Sequence, residues 1–343
     1  MNIKIVSAKV LEKKKIFDYL KKIYPERSIK VHDLWEWLYR SESFNYESSL
    51  LAIQNNNIVG HAGSIPFSIK INNNIFKAKW FIDFIIDSDK RNLGIGKRLT
   101  NEWMNDESVG VTFCNDQSIN VFKKFGWTET FHSYMHYILL RPLNHERFIN
   151  KYNKFKFIKF IINFLYNFFI FYYYYFCSSK KIDIHLLSLE NLSIFNNEKS
   201  DFINTIKTYR DNEYLKWRFL KFPDSHLFRK LTNKNNHSCI IKLRKDKKKS
   251  HHVDILLFED NLSAISKNIL ISDVVVWSSN NKFSYVRLHT SNLLESSKIK
   301  KKLFPVVIQN RFAYFVKNNE IKNKFRDSKF HWQLFDSDFD IIN

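Results

Sequence analysis

The sequence predicts a mixed α/β fold whose sheet is mostly antiparallel and is flanked by helices. Two observations support this prediction. Near the start of the chain, helical spacing of apolar residues gives way to three strand-like runs that are separated only by asparagine-rich turns. After the third run, a polar turn with two glycines leads into a helix and then into another strand, which is the pattern of a crossover connection.

The individual elements follow from the same patterns. The predicted helices span 11–24, 32–39, 94–105 and 116–125. The predicted strands span 50–54, 58–71, 75–86 and 109–113, and a final strand or two is predicted over 127–140. Asparagine tolerates the left-handed backbone of tight turns, so the asparagines at 55–57 and 72–74 predict an antiparallel meander of the first three strands.

Length, charge and cysteine content narrow the class of protein. A chain of 343 residues suits two domains of about 150 residues each. The net charge of +21 attracts anions, but no groove-reading motif accompanies it, so nucleic-acid binding is not expected. The three cysteines lack metal-ligand spacing, which indicates a reducing cytoplasm and no metal site. Because Lys13, Lys14 and Lys15 interrupt the first twenty residues, we expect neither a signal peptide nor an anchor there.

An aromatic segment at 155–177 stands apart from the rest of the chain, and its last 18 residues, Phe160–Cys177, carry no charge. As a helix it would carry one polar stripe, formed by Lys156, Lys159, Asn163 and Asn167. Three interpretations remain open: a membrane span, a helix lying in the membrane interface, and a helix buried between domains. The polar stripe argues against a span, while the flanking lysines and the tyrosine run suit an interface.

The segment Lys90–Lys97 carries the strongest functional signal. It lies between a predicted strand and a predicted helix, where the first amides of the helix are unpaired and the helix dipole is positive. Gly94 and Gly96 allow close approach of an anion, and the neighbouring lysines and arginines supply charge. The segment therefore predicts a phosphate-binding turn.

Ile86 followed by Arg91-x-x-Gly94-x-Gly96 resembles the acyl-CoA pyrophosphate loop of the GNAT superfamily of N-acetyltransferases. The resemblance covers about residues 1–142 and includes five downstream residues: Asn115, Ser118, Phe122 and the pair Gly126-Trp127. It extends loosely to two-domain members associated with sugar and surface-polysaccharide modification, through Trp35, Trp37, Val59-Gly60-His61, Trp80, Asp83 and Trp217-Arg218. It implies an acyl-CoA-binding catalytic domain over 1–142, an amphipathic linker helix over 143–181 and a degenerate second GNAT-like domain over 182–343.

A weak internal repeat fits that division. Trp37–Arg40 has a counterpart in Trp217–Leu220, and Ile82–Ile86 has one in Val253–Leu257. No glycine-bearing turn follows Asp254, so the second copy is expected to have lost the cofactor site.

The resemblance also implies a site for acetyl-CoA, with no metal. The loop amides would bind the pyrophosphate, and the strand around Phe84–Ile86 would pair with the pantetheine arm. The implied cofactor-binding residues are Phe84, Ile85, Ile86, Arg91, Asn92, Leu93, Gly94, Ile95, Gly96, Lys97, Asn115, Ser118 and Phe122.

The reaction needs a base for the amine and a proton for the departing thiolate. Asp83, within an apolar strand, and His61 are the candidate bases. Phe122 stands where many family members have a tyrosine, so the acid is expected to be Tyr134 or Tyr137, or else the thiolate leaves unprotonated and water protonates it. Cys114 has no neighbouring base in sequence, so covalent catalysis is not expected.

The resemblance thus implies an N-acyltransferase that transfers acetyl from acetyl-CoA to a small-molecule amine, with an amino sugar or related surface-glycan precursor as the expected acceptor. A cytoplasmic location, peripheral to the inner face of the membrane, is expected through the aromatic segment. Two alternatives remain: a non-catalytic protein of the same fold that binds CoA or a sugar, and a peptidoglycan-bridge aminoacyltransferase that uses aminoacyl-tRNA. The glycine loop favours CoA over tRNA.

Overall fold

The structure, a computed structural model, describes residues 3–25, 31–39, 49–105, 109–130, 133–144, 156–197, 204–244, 251–260, 262–291 and 305–336. The strands are β1 (Ile3–Ser7), β2 (Ser49–Gln54), β3 (Asn57–Ile71), β4 (Asn74–Ile86), β5 (Val109–Cys114), β6 (Thr128–Thr130), β7 (Tyr134–Leu139), β8 (Ile182–Leu186), β9 (Thr205–Tyr209), β10 (Phe228–Asn233), β11 (Ser238–Arg244), β12 (His252–Phe258), β13 (Tyr285–Thr290), β14 (Val306–Gln309), β15 (Arg311–Phe315) and β16 (Lys329–His331). The helices are α1 (Lys13–Ile23), α2 (Val31–Tyr39), α3 (Ile95–Met104), α4 (Asp116–Lys124), α5 (Lys156–Cys177), α6 (Leu189–Leu192), α7 (Asn212–Leu215), α8 (Ala264–Asn280) and α9 (Asn319–Asp327).

The helices and strands predicted for the first 140 residues are present, with small shifts at their ends, and the region 127–140 forms two short strands, β6 and β7. Asn55, Asn56 and Asn72 have positive φ, as expected for the turns of the meander. Both the mixed α/β class and the antiparallel meander β2-β3-β4 are confirmed.

The first sheet runs in the order β1-β2-β3-β4-β5-β15-β6, and β9 and β16 extend it beside the far half of β3. Its central pair, β4 and β5, is parallel, whereas the other neighbours along this path are antiparallel. Helix α3 is the crossover between β4 and β5, since it follows β4 directly and precedes β5.

The second sheet runs in the order β8-β10-β11-β12-β13-β7-β14. Position by position, its strands have the same relative directions as those of the first sheet, with one parallel pair, β12 and β13, at the corresponding place. The second half therefore repeats the strand arrangement of the first half.

The two halves exchange one strand each. Strand β15, from the end of the chain, lies between β5 and β6 of the first sheet, and β7, from the first half, lies between β13 and β14 of the second. The sheets therefore do not divide at the expected boundaries of 142 and 182, and the division into domains at those residues stays a prediction.

Trp37 and Trp217 mark the contact between the halves. Their rings stack at 4.8 Å between centroids, and each indole N–H donates to the backbone carbonyl of the other, at 3.0 Å and 3.2 Å. The counterparts inferred from the sequence thus meet as a symmetric pair. Around them, a central core draws side chains from both sheets, while α3 and α4 cover the first sheet and α5 and α8 cover the second.

Helix α5 confirms that the aromatic segment is helical. Most of its large apolar side chains are exposed, so the interpretation of a helix buried between domains is wrong. By length and composition, α5 could cross a membrane. The two asparagines of its polar stripe, Asn163 and Asn167, form hydrogen bonds with the rest of the protein.

Candidate functional site

The site is built around an opening between β4 and β5. Their parallel pairing covers only Ala78–Trp80 against Val109–Val111, whereas β4 continues to Ile86. Just past the last pair, the hydroxyl of Thr112 donates to the carbonyl of Phe81 at 2.9 Å. β5 pairs with β15 on its other side over Gly110–Cys114, and the pairing of β4 with β5 ends at Trp80–Val111, so the edge of β4 from Ile82 to Ile86 borders the opening.

Asp83 lies at a β-bulge on that edge. The register between β3 and β4 shifts between His61 and Gly63, which leaves Asp83 and Phe84 opposite a single residue of β3. Asp83 has φ of 47°, a left-handed conformation rarely adopted by residues with a side chain. The bulge turns the half-buried Asp83 out of the regular alternation of the strand.

Two residues hold Asp83 in this conformation. The hydroxyl of Tyr39 donates to its carboxylate Oδ2 at 2.9 Å. The Nδ1 of His61 bonds to its backbone carbonyl at 2.9 Å, and the Nε2 of His61 bonds to the hydroxyl of Ser49 at 2.7 Å. A carbonyl only accepts, so the proton of His61 lies on Nδ1 and Nε2 accepts from Ser49.

His61 is completely buried, and burial lowers its pKa, against the opposing charge of Asp83. The imidazole is therefore neutral, and both of its nitrogens are engaged within the protein. The structure thus brings both candidate bases together but gives them different environments.

Tyr39 is the functional residue that sequence reasoning missed. A Cβ at Gly63 would lie 2.2 Å from the Tyr39 hydroxyl, so a glycine is needed there for the tyrosine to reach Asp83. A glycine in the middle of a long strand is a sequence signal of such a close approach, but it was not among the signals that predicted the site.

The predicted phosphate-binding turn lies at the end of β4. Gly94 caps α3 with φ of 76°, and the helical ladder starts where the amide of Arg98 donates to the carbonyl of Gly94 at 3.1 Å. The amides of Ile95, Gly96 and Lys97 therefore precede the ladder, at the positive end of the helix dipole.

The turn is anchored to the edge of the opening. Arg91 Nε donates to the carbonyl of Ile86 at 3.4 Å, and a Cβ added at Gly96 would lie 3.4 Å from the Phe84 ring and 3.6 Å from the Ile86 side chain. Arg91, Leu93 and Lys97 are exposed, and Asn92 adopts a left-handed turn with φ of 65°. The loop thus lies beside Phe84 and Ile86 on one face of β4, whereas the half-buried Ile85 packs against the central core on the other face.

Asn115 and Ser118 form a reciprocal cap at the start of α4. Asn115 Oδ1 accepts from the amide of Ser118 at 2.8 Å, and Ser118 Oγ accepts from the amide of Asn115 at 3.1 Å. Phe122, one turn further, is buried between Phe81 and Trp127. These bonds and contacts give all three residues a structural role, and their contact with a cofactor stays a prediction.

Tyr134 lies on β7 of the second sheet, and burial raises its pKa. Its neighbour Ser133 bonds to His289 at 2.9 Å, and the His289 ring contacts Phe113 of β5 at 5.4 Å between centroids. This chain of contacts places the start of β7 on the β5 side of the opening.

The thiol of Cys114 is an unsuitable nucleophile, since burial and Glu129 raise its pKa to about 12.

The corresponding region of the second sheet is filled by the protein itself. Pairing of β12 with β13 ends at Ile255–Leu288, and beyond it Gln333 Oε1 accepts from the amide of Phe258 at 2.8 Å. The bulge of β12 falls at Leu256. The sequence repeat indicated that Asp254 corresponds in position to Asp83. That correspondence is therefore wrong, because the bulge of β12 lies at Leu256 and not at Asp254.

Asp254 belongs to a buried ion-pair network. It bonds to Arg287 at 2.8 Å and to Arg244 at 2.9 Å. Burial alone would raise the pKa of Asp254, but Arg287, His252 and Arg244 hold it well below its usual range.

Within the described part of the chain, no cluster of three or more histidine, cysteine or acidic side chains fits a metal ion.

Comparison with known proteins agrees with this geometry. The model of the Acetyltransferase (GNAT) family matches residues 14–127. A search for similar curated sequences finds no significant match.

Solved structures match along most of the chain. A GCN5-related N-acetyltransferase from Anabaena variabilis is 12% identical, with a TM-score of 0.57 over 92% of this chain and 73% of its own. One from Kribbella flavida is 9% identical, with a TM-score of 0.56 over 92% and 72%. Saccharomyces cerevisiae N-myristoyltransferase with bound myristoyl-CoA is 11% identical, with a TM-score of 0.55 over 91% and 82%. Residues 14–127 thus match the model of the GNAT acetyltransferase family, and the fold of the chain is similar to that of these solved structures.

Proposed function

We propose that the protein transfers an acyl group from acyl-CoA to a small-molecule amine. One observation carries this proposal: Gly96 of the glycine turn lies beside Phe84 and Ile86, where an added Cβ would be 3.4 Å and 3.6 Å from their side chains, next to the bulge that presents Asp83. A phosphate anchor and a carboxylate therefore border the same opening.

The proposed cofactor is acetyl-CoA. Its pyrophosphate would lie at the amides of Ile95, Gly96 and Lys97, where backbone N–H groups and the helix dipole favour anions. The exposed Arg91 and Lys97 add positive charge. The pantetheine arm would follow the edge of β4 from Ile86 toward Asp83, taking up its backbone hydrogen bonds.

Asp83 is the proposed base. A carboxylate accepts the proton of the attacking amine, and the amine nitrogen then forms its bond to the thioester carbonyl as the bond to sulfur breaks. Tyr39 fixes the carboxylate through Oδ2, and His61 fixes the backbone of the bulge. We assign His61 a positioning role, because both of its ring nitrogens are engaged by Ser49 and Asp83.

Tyr134 is the proposed proton donor to the departing thiolate, in place of Phe122. Burial raises its pKa, so the phenol remains protonated at neutral pH. The contacts from Ser133 through His289 to Phe113 support its position on the β5 side of the opening.

The proposed acceptor is the amine of an amino sugar or related surface-glycan precursor, and the proposed location is the cytoplasmic face of the membrane. The resemblance of Trp35, Trp37, Trp217 and Arg218 to sugar-modifying members supports the acceptor. The exposed apolar surface of α5 supports the peripheral location.

The test is an acetyltransfer assay with purified protein, acetyl-CoA and a panel of amino sugars and nucleotide-linked amino sugars. Release of the CoA thiol and the mass of the acetylated product are measured, with Asp83→Asn as the inactive control. Acetylation of an amino sugar is expected. Binding of acetyl-CoA without turnover of any amine would contradict the proposal and favour the non-catalytic alternative.

A further inference from the structure

Helix α5 carries a large apolar face on the surface of the protein, which we call the α5 outer face. Its members are aromatic or aliphatic, none is charged, and each is at least about a third exposed: Phe157, Ile158, Phe160, Ile161, Ile162, Phe164, Leu165, Phe168, Phe169, Tyr172, Tyr175 and Phe176. Phe157, Phe160, Phe169 and Phe176 are 65–76% exposed. A patch of this extent marks an interaction surface.

The inner side of α5 is firmly attached to the protein. Asn163 accepts from the amide of Leu143 at 3.0 Å and donates to Asn144 at 3.1 Å. Asn167 accepts from the hydroxyl of Ser279 on α8 at 2.9 Å, and Ile170 and Tyr174 are buried. The polar stripe thus satisfies its hydrogen bonds inward, which leaves the apolar side chains pointing outward.

We propose that the α5 outer face inserts into the surface of an anionic membrane, with the helix axis parallel to the bilayer. The 22-residue helix is about 33 Å long, and its apolar side chains cover most of its circumference. A second helix would cover only a narrow stripe of that arc, whereas acyl chains cover all of it. Because α8 occupies the inner side, the helix lies on the membrane and does not cross it.

Basic side chains lie around the α5 outer face, and their positive charge favours lipids with anionic headgroups. Lys156 lies exposed at one end of α5, and Lys180 and Lys181 lie exposed beyond the other. A groove of about 280 Å³ beside the face is lined by Phe164 and Phe168 on the apolar side and by Arg141 and Lys282 on the basic side. This pairing of rings with cations fits acyl chains below anionic headgroups.

The experiment is co-sedimentation of the full-length protein with two kinds of vesicles, phosphatidylcholine alone and phosphatidylcholine mixed with phosphatidylglycerol. The wild type should bind the anionic vesicles more tightly. Phe160→Asp combined with Phe164→Asp should weaken that binding at least about tenfold, because burying each charge in the bilayer is unfavourable. Both positions are exposed, so folding should be unaffected.

Two matched variants separate the contributions. Val10→Asp with Leu189→Asp adds the same charge at exposed apolar positions elsewhere and should leave binding unchanged. Lys180→Asn with Lys282→Asn should reduce the preference for anionic vesicles, and asparagine suits the positive φ of both positions.

The inference rests on the peripheral membrane location that is part of the proposed function. Its experiment measures vesicle binding without acetyl-CoA or turnover, so its failure is distinguishable from failure of the proposed acyl transfer. Equal binding of the wild type and the Phe160, Phe164 variant would overturn the inference. So would a dimer in light scattering that the same variant dissociates, since a second copy would then cover the face.

Discussion

Asp83 has an unusual left-handed backbone conformation, and it is the proposed base of the reaction. A left-handed conformation at a residue with a side chain costs on the order of 1–3 kcal/mol, and it persists only where neighbours enforce it. His61 and Tyr39 provide that enforcement through the carbonyl and the carboxylate. The sequence identified Asp83 and His61 because both lie in apolar strands. It did not identify Tyr39, which is 44 positions from Asp83 and meets it only in the folded protein.

Replacing Asp83 with asparagine should abolish turnover without disturbing the bulge. Asparagine accepts the left-handed backbone but does not accept a proton, so kcat should fall by about 10²–10⁴. Steady-state kinetics and acetyl-CoA titration measure the two effects, and the affinity for acetyl-CoA should be unchanged. Tyr39→Phe, which keeps the ring, should lower kcat less. Full activity in Asp83→Asn would show that another group is the base.

The buried His61 and the partly buried His331 predict how stability depends on pH. Burial lowers the pKa of His61 and His331 below their ordinary value of about 6.5, so the unfolded chain binds protons more readily. Their contribution is complete above about pH 6.5 and is lost as the pH falls below it. Each should cost about 1.4 kcal/mol of unfolding free energy per pH unit there.

Urea denaturation between about pH 7.5 and pH 5.5 measures this dependence. His61→Gln should reduce the slope, while the same change at exposed His226 should leave it as in the wild type. An undiminished slope in His61→Gln would contradict the neutral, buried state of that histidine.

At the level of elements, hydrophobic periodicity predicted the meander, the crossover helix and α5, because each pattern reflects burial along one segment. It did not predict that β7 and β15 exchange between the sheets. Strand alternation specifies which face is buried but not which neighbour a strand pairs with, and β15 lies far along the chain from β5 and β6.

The exchange predicts that the first half does not fold alone. A fragment of residues 1–142 lacks β15, so the edges of β5 and β6 are unpaired and the buried ring of Phe312 is missing from the core. The fragment should aggregate or lack a cooperative transition by circular dichroism and light scattering. Co-expression with residues 143–343 should restore a soluble complex. A monomeric, cooperatively folded fragment would contradict the importance of the exchange.

For the whole molecule, two sheets of the same strand order serve different purposes. The opening of the first sheet is bordered by Asp83 and the glycine turn. In the corresponding region of the second sheet, the side chain of Gln333 accepts a hydrogen bond from the amide of Phe258. The sequence predicts the loss of a second cofactor site from the missing glycines after Asp254, and this stays a prediction. It did not reveal what fills the space, because Gln333 reaches Phe258 from 75 residues away. One acyl-CoA is therefore expected per chain.

The most direct measurement is isothermal titration of the protein with acetyl-CoA, compared with Gly94→Glu, Gly96→Glu and with a control carrying Asn235→Glu and Asn280→Glu. The wild type and the control should bind one equivalent with micromolar Kd, about 8 kcal/mol, because their glycine turn is intact. The glycine variant should not bind, since its carboxylates occupy and repel the pyrophosphate position. Absence of binding by the wild type, or equal binding by the glycine variant, would contradict the assignment of this turn as the acyl-CoA site.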